Sequence, residues 1–160
     1  MAAALVPLQN ITLGSPQATV TFASIPGTFR DVRLIVNGAT TAEGNIFIQL
    51  NSDTGSNYYL VNMRASGGGA QSTAGTSTRI QSNWSTGLQT SSRAVNTYDF
   101  MDYASSKQKT VLVRANHADE VDAISGRWAN TAAITTIAIK ANDSTTFTAG
   151  STFALYGVLA

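Results

Sequence analysis

The chain has 160 residues, with 10 Lys and Arg against 9 Asp and Glu, a net charge of +1, one His and no Cys. That length fits one domain, residues 1–160, with a self-supporting core; the missing cysteines exclude a disulfide framework, a thiolate metal site and a Cys nucleophile, and the near-neutral charge excludes the clustered basic surface of a nucleic-acid binder. Charged residues make up 12% of the chain, about half the ~25% usual in soluble domains, and 21 Thr and 16 Ser take their place.

Residues 1–9 are short, apolar and precede the first expected strand, so Met1, Leu5 and Val6 form a candidate docking arm. The segment has no basic start and is cut by Pro7, unlike a secretory signal. No apolar run reaches the ~18 residues of a membrane-spanning helix. Synthesis in a cytoplasm and no membrane association are therefore expected.

Beyond the arm the pattern is β. Val20 and Phe22 alternate with Thr, and Val32, Leu34 and Val36 share a face, as do Ile46, Ile48 and Leu50. Tyr59, Val61 and Met63 share another, followed by Tyr98 with Phe100, Val111 with Val113, Ile137 with Ile139, and Phe153 with Leu155. A period of two, rich in β-branched and aromatic residues, is the strand signal. Turn formers separate the runs at Leu13-Gly14-Ser15-Pro16, Ile25-Pro26-Gly27, Asn37-Gly38, Asn51-Ser52-Asp53-Thr54-Gly55 and Ala149-Gly150-Ser151,. About eight to ten short strands and no convincing helix predict an all-β antiparallel sandwich of jelly-roll type.

One stretch breaks the pattern. Residues 65–93 are rich in Gly, Ser, Thr and Gln, with Ile80, Trp84 and Leu88 as the large apolar residues. Their spacing of four would suit one helical turn docking a Trp, but the composition points to a long loop anchored by one aromatic.

Candidate chemistry is sparse. The sole histidine, His117, lies near Asp119, Glu120 and Asp122, which could serve a hydrolytic triad or a metal; the polar run from Asn116 to Glu120 reads instead as a solvated loop. Asn51-Ser52-Asp53-Thr54-Gly55-Ser56-Asn57 resembles a calcium loop in its spacing of oxygens but has one carboxylate and no distal Glu, so a turn explains it. Gly67-Gly68-Gly69 lacks the Lys and helix of a phosphate loop. Asp99 and Asp102 lie three apart, on opposite strand faces, and Lys107 and Lys109 read as a hydrophilic hairpin tip. Trp84, Trp128, Tyr58, Tyr59, Tyr98, Tyr103 and Tyr156 would suit a sugar-stacking platform as well as a core or an interface. No catalytic residue, metal or cofactor is expected; Trp84 and Tyr58 join the arm as candidate interaction residues.

Five segments resemble a family of small virion proteins of tailed bacteriophages. Phe22-Ala23-Ser24-Ile25-Pro26-Gly27-Thr28-Phe29-Arg30-Asp31-Val32-Arg33-Leu34 is similar to its F-x-S-I-P-x-x-(Y/F)-x-x-L opening. Asn51-Ser52-Asp53-Thr54-Gly55-Ser56-Asn57-Tyr58 is similar to F-N-x-D-x-G-S-N-Y, with Leu50 in place of Phe. Asp102-Tyr103 with Lys107 and Lys109 resembles D-Y-x-x-x-x-K-x-K-T with one residue fewer in the gap. Gly126-Arg127-Trp128 with Ala133-Ile134-Thr135 resembles G-x-W-x-x-x-x-A-I-T-S-I, and Gly150-Ser151-Thr152-Phe153-Ala154-Leu155-Tyr156-Gly157-Val158 resembles G-S-x-F-x-L-Y-G-I, with Val158 for Ile. The resemblance implies a β-sandwich part of a phage particle, on the head or at the tail, and no catalytic residue. With no heptad repeat and no room for a fibrous shaft, a capsid decoration (cement) protein that bridges capsomers is the expected role. The alternative is a tail-fibre or tail-tip module binding a host-surface glycan. Expected partners are the major capsid protein and further copies of the chain, as a homotrimer by analogy with such virion parts.

Overall fold

A computed structural model describes residues 5–81, 88, 90, 93–117, 120–142 and 144–159. Among these residues the chain forms twelve strands and no helix: β1 (Leu5–Thr12), β2 (Thr19–Phe22), β3 (Asp31–Gly38), β4 (Ile46–Leu50), β5 (Tyr58–Ser66), β6 (Gly69–Ser77), β7 (Ile80–Gln81), β8 (Ala94–Met101), β9 (Lys109–His117), β10 (Glu120–Trp128), β11 (Ile137–Ala141) and β12 (Thr152–Val158). They build an eight-stranded sheet in the order β1-β12-β3-β8-β9-β10-β5-β6 and a four-stranded sheet in the order β2-β11-β4-β7.

Every pairing is antiparallel. The pairs nest: β1 with β12 encloses β2 with β11, and β3 with β8 encloses β4 with β7, each inner pair lying in the opposite sheet. This wrapping of paired segments around a barrel axis makes the sandwich a jelly roll. The alternating residues named above meet between the sheets. Val20, Phe22, Val32, Leu34, Val36, Phe100, Val111, Ile137, Ile139, Phe153 and Leu155 belong to one hydrophobic cluster. β4 is buried along its whole length, and on it the Arg79 guanidinium lies 4.0 Å from the Phe47 ring centroid, a stacked cation over an apolar face.

Three local expectations are corrected. Residues 65–93 are not one long loop: β5 runs to Ser66, β6 returns beside it, and Ile80 sits in β7 opposite Ile48. The β6 sequence, Gly-Ala-Gln-Ser-Thr-Ala-Gly-Thr-Ser, buries neither face and so has no hydrophobic period; its ladder to β5 makes it a strand,. Trp84 lies outside the described residues.

Residues 5–9 are not a free arm ahead of the first strand but the start of β1, registered from Leu5↔Val158 to Thr12↔Thr152. Pro7 is compatible with this because β1 is an edge strand,. Leu5 is exposed and Val6 half-buried; Met1 lies outside the described residues. Finally, the polar run at residues 116–120 is the end of β9 and the start of β10, with only two residues between them.

Candidate docking face of the eight-stranded sheet

The motif residues come together as framework. Asn51 and Ser52 have φ of 49° and 59°, and the Asp53 amide donates to the Leu50 carbonyl at 2.9 Å, the geometry of a type I′ turn. The Asn51 side-chain oxygen accepts from the amides of Thr135 and Thr136 at 2.9 and 3.0 Å, and its amide donates to Ala133 O at 2.7 Å. The Asp53 carboxylate accepts from Trp128 Nε1 at 2.7 Å, the Gly55 amide at 2.9 Å and Asn57 Nδ2 at 3.0 Å. Burial raises the Asp53 pKa, but these three donors outweigh it and hold the carboxyl below its ordinary value,. Its oxygens are thus engaged within the protein, as a turn requires.

Tyr58 was a candidate interaction residue; it is fully buried, which removes it from any surface. Its ring stacks with Trp128 at a centroid distance of 6.4 Å. Its hydroxyl accepts from the Leu50 amide at 3.0 Å and donates to Asp53 O at 3.2 Å. Burial pushes the Tyr58 phenol up to about 12 and raises that of Tyr98 as well. A phenol raised in the folded state ionises first in the unfolded chain, so its stabilisation is intact below the unfolded pKa and lost as pH rises toward the folded one. Stability should therefore hold up to about pH 10 and fall between 10 and 12,. The absorbance change of the buried phenols should coincide with the change in Trp fluorescence; ionisation of all five tyrosines with the fold intact would contradict this.

The hairpin-tip reading of Lys109 is also corrected. Lys109 is fully buried, and its ammonium donates to Ser105 O at 2.7 Å, to Lys107 O, and to Thr131 O at 3.4 Å. Burial lowers its pKa, with the Asp102 carboxylate pulling the other way. Tyr103 is buried too, and its hydroxyl donates to Pro26 O. At Gly157 a Cβ would enter the Phe29 ring, so the C-terminal strand needs a glycine there for the ring to lie against it.

Around His117, whose side chain is not described, the acids do not converge on a solvated loop. Glu120 and Asp122 face inward and are buried, and Glu120 pairs with Arg64 at 3.1 Å, which also donates to Gln71. Asp119 lies outside the described residues. Among the described residues no three His, Cys, Asp or Glu side chains form a group able to hold a metal. Asp99, on the outer face, pairs with Arg33 at 2.6 Å.

Glu120 and Asp122 share the inward face of β10 with the buried Ile124 and Trp128, so Val121 between the two acids points out and is 58% exposed. β5 likewise carries large apolar residues on both faces: Tyr58 and Leu60 face the interior with Asn62, while Tyr59, Val61 and Met63 face solvent. Among the described residues nine large hydrophobic side chains are exposed. Seven of them, Tyr59, Val61, Met63, Val95, Met101, Leu112 and Val121, stand on the outer face of β5, β8, β9 and β10. Tyr59, Val61 and Met63 follow one another along β5, and register interleaves the face with small and polar residues, as in Val61↔Ser125↔Leu112, Met63↔Ala123↔Arg114 and Tyr59↔Arg127↔Thr110. A groove of about 780 Å³ crosses this face between Met63, Ala70, Ser72, Val121, Ala123 and Arg114. With Arg33 neutralised by Asp99, Arg114 and Arg127 leave the face positive, and the Arg127 guanidinium lies 5.9 Å from the Tyr59 ring centroid. An exposed apolar patch with a charged rim is the signature of a docking surface. Sequence reading assigns an apolar strand face to the core by default; the available signal was that β5 carries large apolar residues on both faces.

No family model matches the chain, and no curated protein sequence does. Among solved structures it is similar to the galectin LEC-6 of Caenorhabditis elegans, at 16% identity and a TM-score of 0.41, over 94% of this chain and 96% of that one. No residue role or ligand follows from a likeness of that degree.

Proposed function

We propose that this chain is a structural protein of a tailed-phage virion, a capsid decoration protein that docks on the major capsid protein through the outer face of β5, β8, β9 and β10. The observation carrying this reading is the gathering of seven exposed large hydrophobics on that one face. The phage-like segments add support, and their best-matched residues, Asp53, Tyr58, Tyr103, Lys109 and Trp128, hold the framework together. The complementary partner has an apolar centre and acidic groups opposite Arg114 and Arg127. Binding at many equivalent positions stabilises a shell by mass action, about 2.7 kcal/mol per site at a ligand concentration 100-fold above Kd.

The test titrates the protein onto heads assembled without it and follows their melting temperature. The wild type should bind in copies of the order of the capsomer number and raise the melting temperature. Met63→Asp combined with Val121→Asp should weaken binding about 100-fold or more while leaving the free chain folded, since both side chains are exposed,. Absence of binding, or a handful of copies at the tail, would overturn the reading.

A further inference from the structure

The groove of about 780 Å³ on the outer face has a cause in the residues. Ala65, Ala70, Ser72 and Ala123 are small, while Met63, Val121 and Arg114 beside them are large. These residues stand on four adjacent strands, in the order β9, β10, β5, β6, so the depression crosses the strands instead of following one of them. A second depression of about 210 Å³ continues it toward β8. Met63, Ala123 and Arg114 line this one too, together with Leu112, Ser125 and Asp99. From β6 to β8 is four strand spacings, about 19 Å, which is the length of about six extended residues. The charges in the groove are few. Arg64 and Asp122 border it from inward-facing positions, and Asp99 at the far end is paired with Arg33. Arg114 is exposed, and among the described residues no hydrogen bond or ion pair engages it. An apolar trough with one unengaged guanidinium in its wall suits a ligand that is apolar along its length and carries one carboxylate.

We propose that this trough receives an extended segment of the major capsid protein, about six residues long, laid across the strands, with a large aliphatic side chain on Ala123 and an acidic one against Arg114. The proposal rests on the docking reading above and names the part of the partner that the face takes. Ala123 and Arg114 are partners on neighbouring strands, about 4.8 Å apart. Alternate side chains of an extended segment stand about 6.6 Å apart on one side of it. An aliphatic residue and an acidic residue two positions away therefore meet Ala123 and Arg114 together. Apolar contact in the trough supplies binding, and the charge pair fixes which way the segment runs. Ala123 becomes the position that sets specificity, because a larger side chain there fills the trough that the segment needs.

Binding of the full chain to heads assembled without it tests the segment. Ala123→Leu should weaken binding about 10- to 100-fold, and Arg114→Glu by a similar factor, while Arg114→Lys keeps most of it. Ala123 and Arg114 are exposed, so circular dichroism should be unchanged in all three. Thr110→Leu adds bulk at an exposed position on the same face outside the groove and should leave binding unchanged. The chain has no cysteine, so Ser72→Cys gives one site at the β6 end of the groove for a photoreactive label. On heads, that label should capture one stretch of the major capsid protein in which an acidic and a large aliphatic residue lie within about six residues of each other. No binding by the wild type would remove the docking reading and the segment together. Wild-type binding that Ala123→Leu leaves unchanged, an equal loss from Thr110→Leu, or capture of a helix or of a stretch without an acidic residue would overturn the segment and leave the docking reading standing.

Discussion

Trp128→Ala should remove about 3–5 kcal/mol of folding stability, enough to lower the melting temperature by about 10 °C or more in a chain of this size. Trp128 is among the largest fully buried side chains. It packs on Tyr58 and ties the end of β10 to the loop after β4 through the 2.7 Å bond from Nε1 to Asp53. Truncation leaves a cavity where the ring was and an Asp53 carboxylate short of a donor. Trp128→Phe separates the two contributions: it keeps an aromatic against Tyr58 and loses the indole donor, so about 1–3 kcal/mol should go. Urea unfolding followed by circular dichroism measures both. A loss below about 1 kcal/mol for the alanine variant would mean that the ring does not anchor the two sheets.

Lys109→Met should cost about 2–4 kcal/mol although it preserves much of the side-chain volume, because it deprives three backbone carbonyls of a charged donor in a buried site,. Those carbonyls belong to the segment before β9 and to residue 131, so the ammonium joins two loops that strand pairing does not connect. Thermal unfolding of the variant measures the loss. An unchanged or raised melting temperature would show that the apolar replacement compensates for the missing hydrogen bonds, contrary to this account.

Much of the sandwich is legible in the residues. Each strand with one wet and one dry face, such as β3 with Val32, Leu34 and Val36 inward, announces itself by its alternation,. The strands that escape sequence reading show no clean apolar alternation. β6 buries nothing, β10 mixes Glu120 and Asp122 with Ile124 and Trp128 on its inner face, β1 lies at an edge with half-buried residues at most, and β7 is only two residues long. The mixing on β10 also hides the candidate docking face. A Val between two acids reads as a loop residue until the Arg64–Glu120 pair shows that the acids are buried and Val121 is out. Lys109 misleads likewise, since its neighbours are hydrophilic and its carbonyl partner at Thr131 is remote in sequence.

A particle reconstruction of heads incubated with the protein tests the central claim most directly. The account predicts density on the outer shell with the sheet formed by β5, β8, β9 and β10 turned toward the capsid and Met63, Leu112 and Val121 at the contact. Density in which that face looks out to solvent while another surface meets the shell, or density confined to the tail, would contradict it.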